Sequence, residues 1–142
     1  MLKSHNPPDA MAPAGAYSQG IEVHPGARLL FISGQVGTDA SGRTGIGILE
    51  QAHMAWANLG AVLRSGGMEP KDIVKLTVYY VGSLDMNDAM RSAVNAIRNR
   101  FLGDHKPAST ALVVSRLMRP DWLIEIEAID EDDVRRSQRR RV

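Results

Sequence analysis

The spacing of hydrophobic positions changes repeatedly along the chain, and each change predicts an element. Ala16 to Val23 and Ala27 to Val36 are rich in β-forming residues, and His24-Pro25-Gly26 between them predicts a hairpin-like turn. TDASGRTG (38–45) is a polar, glycine-bearing loop. Leu49, Ala52, Trp56, Leu59 and Leu63 then recur at three- and four-residue steps, which predicts an amphipathic helix ended by Ser65-Gly66-Gly67. IVKLTVYYV (73–81) alternates, with Val74, Leu76, Val78 and Tyr80 on one face and Lys75, Thr77 and Tyr79 on the other. Asp85, with Asp88 three residues on, reads as the N-cap of a second helix. That helix runs to about Phe101, buries Met86, Met90, Ala93, Ile97 and Phe101, and closes at Gly103. Two strands follow, about Ala108 to Leu117 and Trp122 to Asp130.

The last of these contains LIEIEAID (123–130), in strict alternation. Ile124, Ile126 and Ala128 share one face, while Glu125 and Glu127 share the other with Leu123 and Ile129. The order β-β-α-β-α-β-β defines an α+β fold whose two helices can cover only one face of the sheet. The opposite face mixes Leu123, Ile129, Thr77 and Tyr79 with Glu125, Glu127 and Lys75. It is too apolar for free water and too polar for a dry core, so a partner subunit is expected to cover it, with the glutamates at or near a cleft at the seam.

The chain has 142 residues, of the length of one domain, and no linker long enough to divide it. Residues 1–133 form the domain, and 134–142 read as a basic, disordered tail. Five arginines in that tail hide the charge of the rest: without them the net charge falls from +1 to −4. A mildly acidic body is a poor clamp for phosphates, which argues against nucleic acid as a partner. The absence of cysteine excludes disulfides and thiolate metal sites. No signal-like or membrane-length apolar segment is present, so a cytoplasmic location is expected. His5, His24, His53 and His105 show no ligand spacing, so no metal is expected. Gly45-x-Gly47 lacks the third glycine and flanking strand of a dinucleotide site, and nothing resembles a Ser-His-Asp arrangement.

Several stretches together resemble the Rid proteins, the reactive intermediate deaminases also called the YjgF or L-PSP endoribonuclease family. They are GAYSQG (15–20), ISGQV (32–36), EQAHMAWANLGAVLRSGG (50–67), DIVKLTVYYVGSLDMND (72–88), KPAS (106–109) and IEIEAI (124–129). The resemblance implies a chorismate-mutase-like fold assembled as a homotrimer with intersubunit clefts. It also implies hydrolysis of enamines and imines to a keto product and ammonia, without a bound cofactor. Carried over by position, it implies a cleft tyrosine at Tyr17 and a water-orienting glutamate at Glu125. Substrate contacts are implied at Gly34, Ser109, Thr110, Ala111 and Tyr17.

Family members with deaminase activity resemble one another in placing an arginine where this chain has Ser109, within Pro107-Ala108-Ser109-Thr110. A guanidinium meets a planar carboxylate with two parallel bonds, whereas a serine offers one neutral donor. The expected substrate therefore shifts from a 2-imino acid toward an aminomuconate-like or uncharged imine. A non-catalytic metabolite binder is the alternative, and ribonuclease activity a more remote one. Strand parity places Arg116 opposite Ser109, leaves Lys75 as a substitute cation, and Ser109 is expected close to Glu125.

Overall fold

The structure, a computed structural model, describes residues 2–133; the basic tail lies outside the described residues. Its centre is the last strand. β6 (Ile124–Asp132) pairs antiparallel with β3 (Arg28–Val36) on one side and with β4 (Ile73–Val81) on the other. β4 in turn pairs in parallel with β5 (Ala108–Val114), giving a mixed sheet in the order β3-β6-β4-β5. Parallel neighbours need a crossover, and helix α2 (Asp88–Leu102) supplies it. Helix α1 (Gly47–Ser65) links β3 to β4. The α+β class is the expected one, with both helices on a single face.

The alternation of β6 holds from Ile124 to Asp130 and then ends, since Glu131 and Asp132 are buried as well. Ile124, Ile126 and Ala128 enter the core, Glu125 and Ile129 are half-buried on the open face, and Glu127 is exposed there. Elsewhere the phase shifts. In β4, Ile73 and Leu76 are both fully buried although three residues apart, because an irregularity between Ile73 and Lys75 takes up one position. Val74 is left half-buried. In α1 the buried stripe starts at Ile48, 5% exposed, and not at Leu49, 40% exposed. In α2 the fully buried positions are Val94 and Leu102, flanked by half-buried Met86, Met90, Ile97 and Phe101.

Two local expectations are corrected. β2 (Gly20–Glu22) pairs with a short strand β1 (Lys3–His5), not with β3, in a separate two-stranded sheet. Glu22 holds that pairing through Lys3 at 3.3 Å and His5 at 2.8 Å. The turn at His24–Gly26 still forms, with Ala27 donating to the His24 carbonyl, but it redirects the chain without zipping a hairpin. The cap of α2 is Asn87, whose Oδ1 accepts from the Met90 N–H at 2.9 Å; Asp85 lies two residues too early to reach the first turn.

A buried amide ties the layers together. Gln51, on the inner face of α1, donates to the carbonyls of Gly45 (3.0 Å) and Asp121 (2.8 Å) and accepts from the Leu123 N–H (2.8 Å). Replacing it by leucine strands three backbone groups, one in a buried and two in part-buried hydrogen bonds, each costing about 1 kcal/mol. Gln51→Leu should therefore lower unfolding free energy by roughly 3 kcal/mol in chemical denaturation; a loss below about 1 kcal/mol would show that water replaces the amide.

Asp130 is the opposite case. It is 0% exposed, and among the described residues neither carboxylate oxygen has a hydrogen-bond partner. Burial, reinforced by the nearby Asp72 carboxylate, pushes its pKa up to about 7. The unfolded chain releases this proton near pH 4 while the folded chain holds it to about 7, so stability falls as pH rises across that window and is flat above it. Asp130→Asn should remove the fall, so the variant's gain over wild type should grow from pH 4 to pH 8 by on the order of 3 kcal/mol. Thermal melts at both pH values check it; an equal difference at both would refute a buried proton.

Candidate functional site

The residues singled out in the sequence divide into two groups, one on each face of the sheet. On the open face, Glu125 stands between Val36 of β3 and Tyr79 of β4. β3 is irregular between Ile32 and Gln35, which carries Ser33 and Gly34 out of the regular ladder. Gly34 has no side chain there for a specific reason. A Cβ would fall 1.9 Å from Glu125 Oε1, so the carboxylate lies directly across the glycine backbone. Glu125 is half-buried, and among the described residues it has no hydrogen bond or ion pair.

Its neighbours are already engaged. Glu127 accepts the Tyr79 hydroxyl at 2.9 Å, and that bond, followed by desolvation, raises the tyrosine pKa. Lys75 donates to Thr110 Oγ1 at 2.6 Å. Glu125 instead opens onto a groove of about 390 Å³ shared with Tyr79, Arg116, Leu117, Met118 and Glu127.

The second group lies on the helix side. The Ser18 N–H donates to the Pro107 carbonyl at 3.0 Å, and its hydroxyl donates to the Lys106 carbonyl at 2.6 Å. A parallel bridge from Ser18 to Ala108 results, laying the Tyr17 segment along the start of β5. Tyr17 then lines a pocket of about 380 Å³ with Ser109, Ala111, Tyr80, Asn95 and Arg98. Arg98 reaches it from α2. It is half-buried, and desolvation lowers its pKa. Desolvation likewise raises that of Tyr80, against the opposing charge of Arg98.

Tyr17, Ser109 and Ala111 therefore share one pocket, and Gly34 and Glu125 share another site. Thr110 belongs to the open face beside Lys75. Within one chain Ser109 is not on the face of Glu125, contrary to expectation. Ser109 is in register with Leu76 and Glu125 with Tyr79, three residues apart on β4, so within one chain their side chains point to opposite faces. Arg116 joins the Glu125 groove. In the sequence Arg98 resembles an ordinary helix charge. The signal was its position midway between Val94 and Leu102, in a stripe otherwise buried. Among the described residues, no group of three or more His, Cys, Asp or Glu side chains is placed to hold a metal ion, and no helix is long and apolar enough to cross a membrane.

This arrangement has known relatives. The family model described as endoribonuclease L-PSP matches residues 7–131. A RutC family protein of Pyrococcus horikoshii is 39% identical over 123 residues, covering 85% of this chain and 90% of the relative. The 2-iminobutanoate/2-iminopropanoate deaminase of Mus musculus is 38% identical over 122 residues, 84% of each chain. Among solved structures, a Rid-family protein of unknown function from Yersinia pestis superposes with a TM-score of 0.79 at 32% identity, covering 92% of this chain and 98% of that one. TdcF of E. coli with bound serine gives 0.66 at 28% identity, covering 94% and 98%. The chain belongs to the Rid family, also called YjgF or endoribonuclease L-PSP.

The close approach at Gly34 can be tested directly. Gly34→Ala should leave the fold intact, because the obstructing atoms are the flexible end of a side chain, at a cost below about 1 kcal/mol. The Glu125 side chain should swing to another rotamer in a crystal structure of the variant. An unmoved carboxylate would contradict the stated contact.

Proposed function

We propose that the protein hydrolyses small imines and enamines to a carbonyl product and ammonia, in clefts that two copies build together. The observation that carries this reading is the division of the candidate residues. Glu125 is an unpartnered carboxylate beside a glycine on one face, and Tyr17 lines a polar pocket on the other. Neither half alone brings Glu125 together with Tyr17, Ser109 and Ala111. The 2-iminobutanoate/2-iminopropanoate deaminases among its relatives supply the reaction class.

In the assembled cleft, Glu125 orients a water and takes its proton as the oxygen attacks the imine carbon. Glu125 returns that proton to the nitrogen to complete the carbinolamine, whose hydroxyl proton then passes to nitrogen as the C–N bond breaks, leaving the carbonyl and ammonia. Tyr17 and Ser109 supply hydroxyls that position the substrate, and Ala111 and Gly34 offer backbone groups. Water is the only co-reactant.

Joining opposite faces of identical chains requires a heterologous contact, which closes as a ring and not as an isologous dimer. A homotrimer is the ring proposed. The open face suits such a contact: Phe31 is 69% exposed, and Leu112 and Ile129 lie on the same side.

Complementation separates this arrangement from a site within one chain. Glu125→Gln and Tyr17→Ala should each lose most activity on 2-iminopropanoate generated in situ by an amino-acid oxidase. Coexpressed, they should recover about a quarter of wild-type activity, since random assembly leaves that share of clefts with both halves intact. Recovery at background level, or a monomer by light scattering, would overturn the shared cleft.

A further inference from the structure

The Tyr17 pocket contains a cation without a counterion among the described residues. Arg98 projects from the buried stripe of α2, between Val94 and Leu102, and its one hydrogen bond among the described residues is to Asn99 Oδ1 at 3.1 Å. No acidic side chain lines the pocket; the polar groups around the guanidinium are the hydroxyls of Tyr17, Tyr80 and Ser109 and the amides of Asn95 and Asn99. A half-buried guanidinium with no carboxylate partner loses hydration without compensation unless an anion joins it. The lowered pKa of Arg98, caused first by desolvation, reflects that loss.

We infer that Arg98 is the carboxylate anchor of this pocket, binding the acid group of a 2-imino acid from helix α2 where strand β5 presents only Ser109. The inference rests on the imine-hydrolysing reading for the identity of the ligand. The guanidinium presents two parallel N–H groups to the carboxylate, and Ser109 with Asn95 adds neutral donors at its edge. An arginine near a helix C-terminus also has a bland role, facing the last carbonyls. Arg100, in the last turn of α2, already occupies that position, and Arg98 faces the pocket instead. The substrate class therefore returns to 2-imino acids, away from the uncharged imines that Ser109 alone suggests.

The test uses the full-length protein with pyruvate as binding probe, pyruvamide as its uncharged analogue, and 2-iminopropanoate turnover as a separate readout. Arg98→Met should weaken pyruvate binding roughly thirtyfold or more, leave pyruvamide binding within about twofold, and raise KM more than it lowers kcat. In that background Ser109→Arg should restore pyruvate binding, because it puts a guanidinium in the same pocket from the strand. Arg98→Lys keeps the charge but loses the paired geometry. It should weaken pyruvate binding about tenfold, and it carries the test if the methionine variant does not fold. A folded Arg98→Met protein that binds pyruvate as wild type does would overturn the inference, as would a wild type that prefers pyruvamide. If wild type binds pyruvate through Arg98 yet shows no turnover, the anchor stands and the catalytic reading falls.

Discussion

The position of the Glu125 carboxylate depends on one side-chain amide in the core. Gln51 reaches from α1 to the loop ahead of its own helix, to the turn that follows β5, and to the Leu123 N–H just ahead of β6. Two residues beyond that anchored N–H stands Glu125. A hydrophobic side chain at position 51 would pack well but would not set the depth at which β6 starts, because apolar contacts have no direction. The three hydrogen bonds do. Gly37 makes room for them: a Cβ at that position would meet Gln51 at 2.4 Å.

Covering one sheet face with both helices divides the chemistry. The helix-covered face gains a pocket behind β5, where a half-buried cation is held. The open face keeps a glutamate accessible. A single chain cannot bring the two together through a packed β-sheet, so any cooperation between them takes place between copies. The charge arrangement is consistent with this: among the described residues neither Glu125 nor Arg98 forms an ion pair, and a direct pair between them within one chain would have consumed both.

Much of the fold was legible in the sequence, and the reason is length. β4 and β6 run for nine residues each with a period that only a strand satisfies, and both helices carry long apolar stripes. What was not legible depends on partners. A three-residue strand such as β2 declares itself extended but not whose edge it joins. Parity arguments fail at irregular positions, as at Val74, and they cannot relate strands whose register is unknown, which is why Ser109 and Glu125 were placed together. Glu125 and Glu127 look equivalent in LIEIEAID; only the cross-strand neighbours, Gly34 for one and the Tyr79 hydroxyl for the other, distinguish them. Arg98 reads as solvent-facing until its stripe mates Val94 and Leu102 are seen to be buried.

The bridge from Ser18 to Ala108 has a second effect. β5 is an edge strand, and an edge with unpaired backbone groups is a template for another chain. By taking the Pro107 carbonyl, the segment that carries Tyr17 occupies the beginning of that edge, where a foreign strand would first need to dock. The wall of the Tyr17 pocket and protection from illicit strand pairing thus share one short stretch of backbone. Sequence change there is constrained twice, once by the shape of the pocket and once by what the edge must refuse.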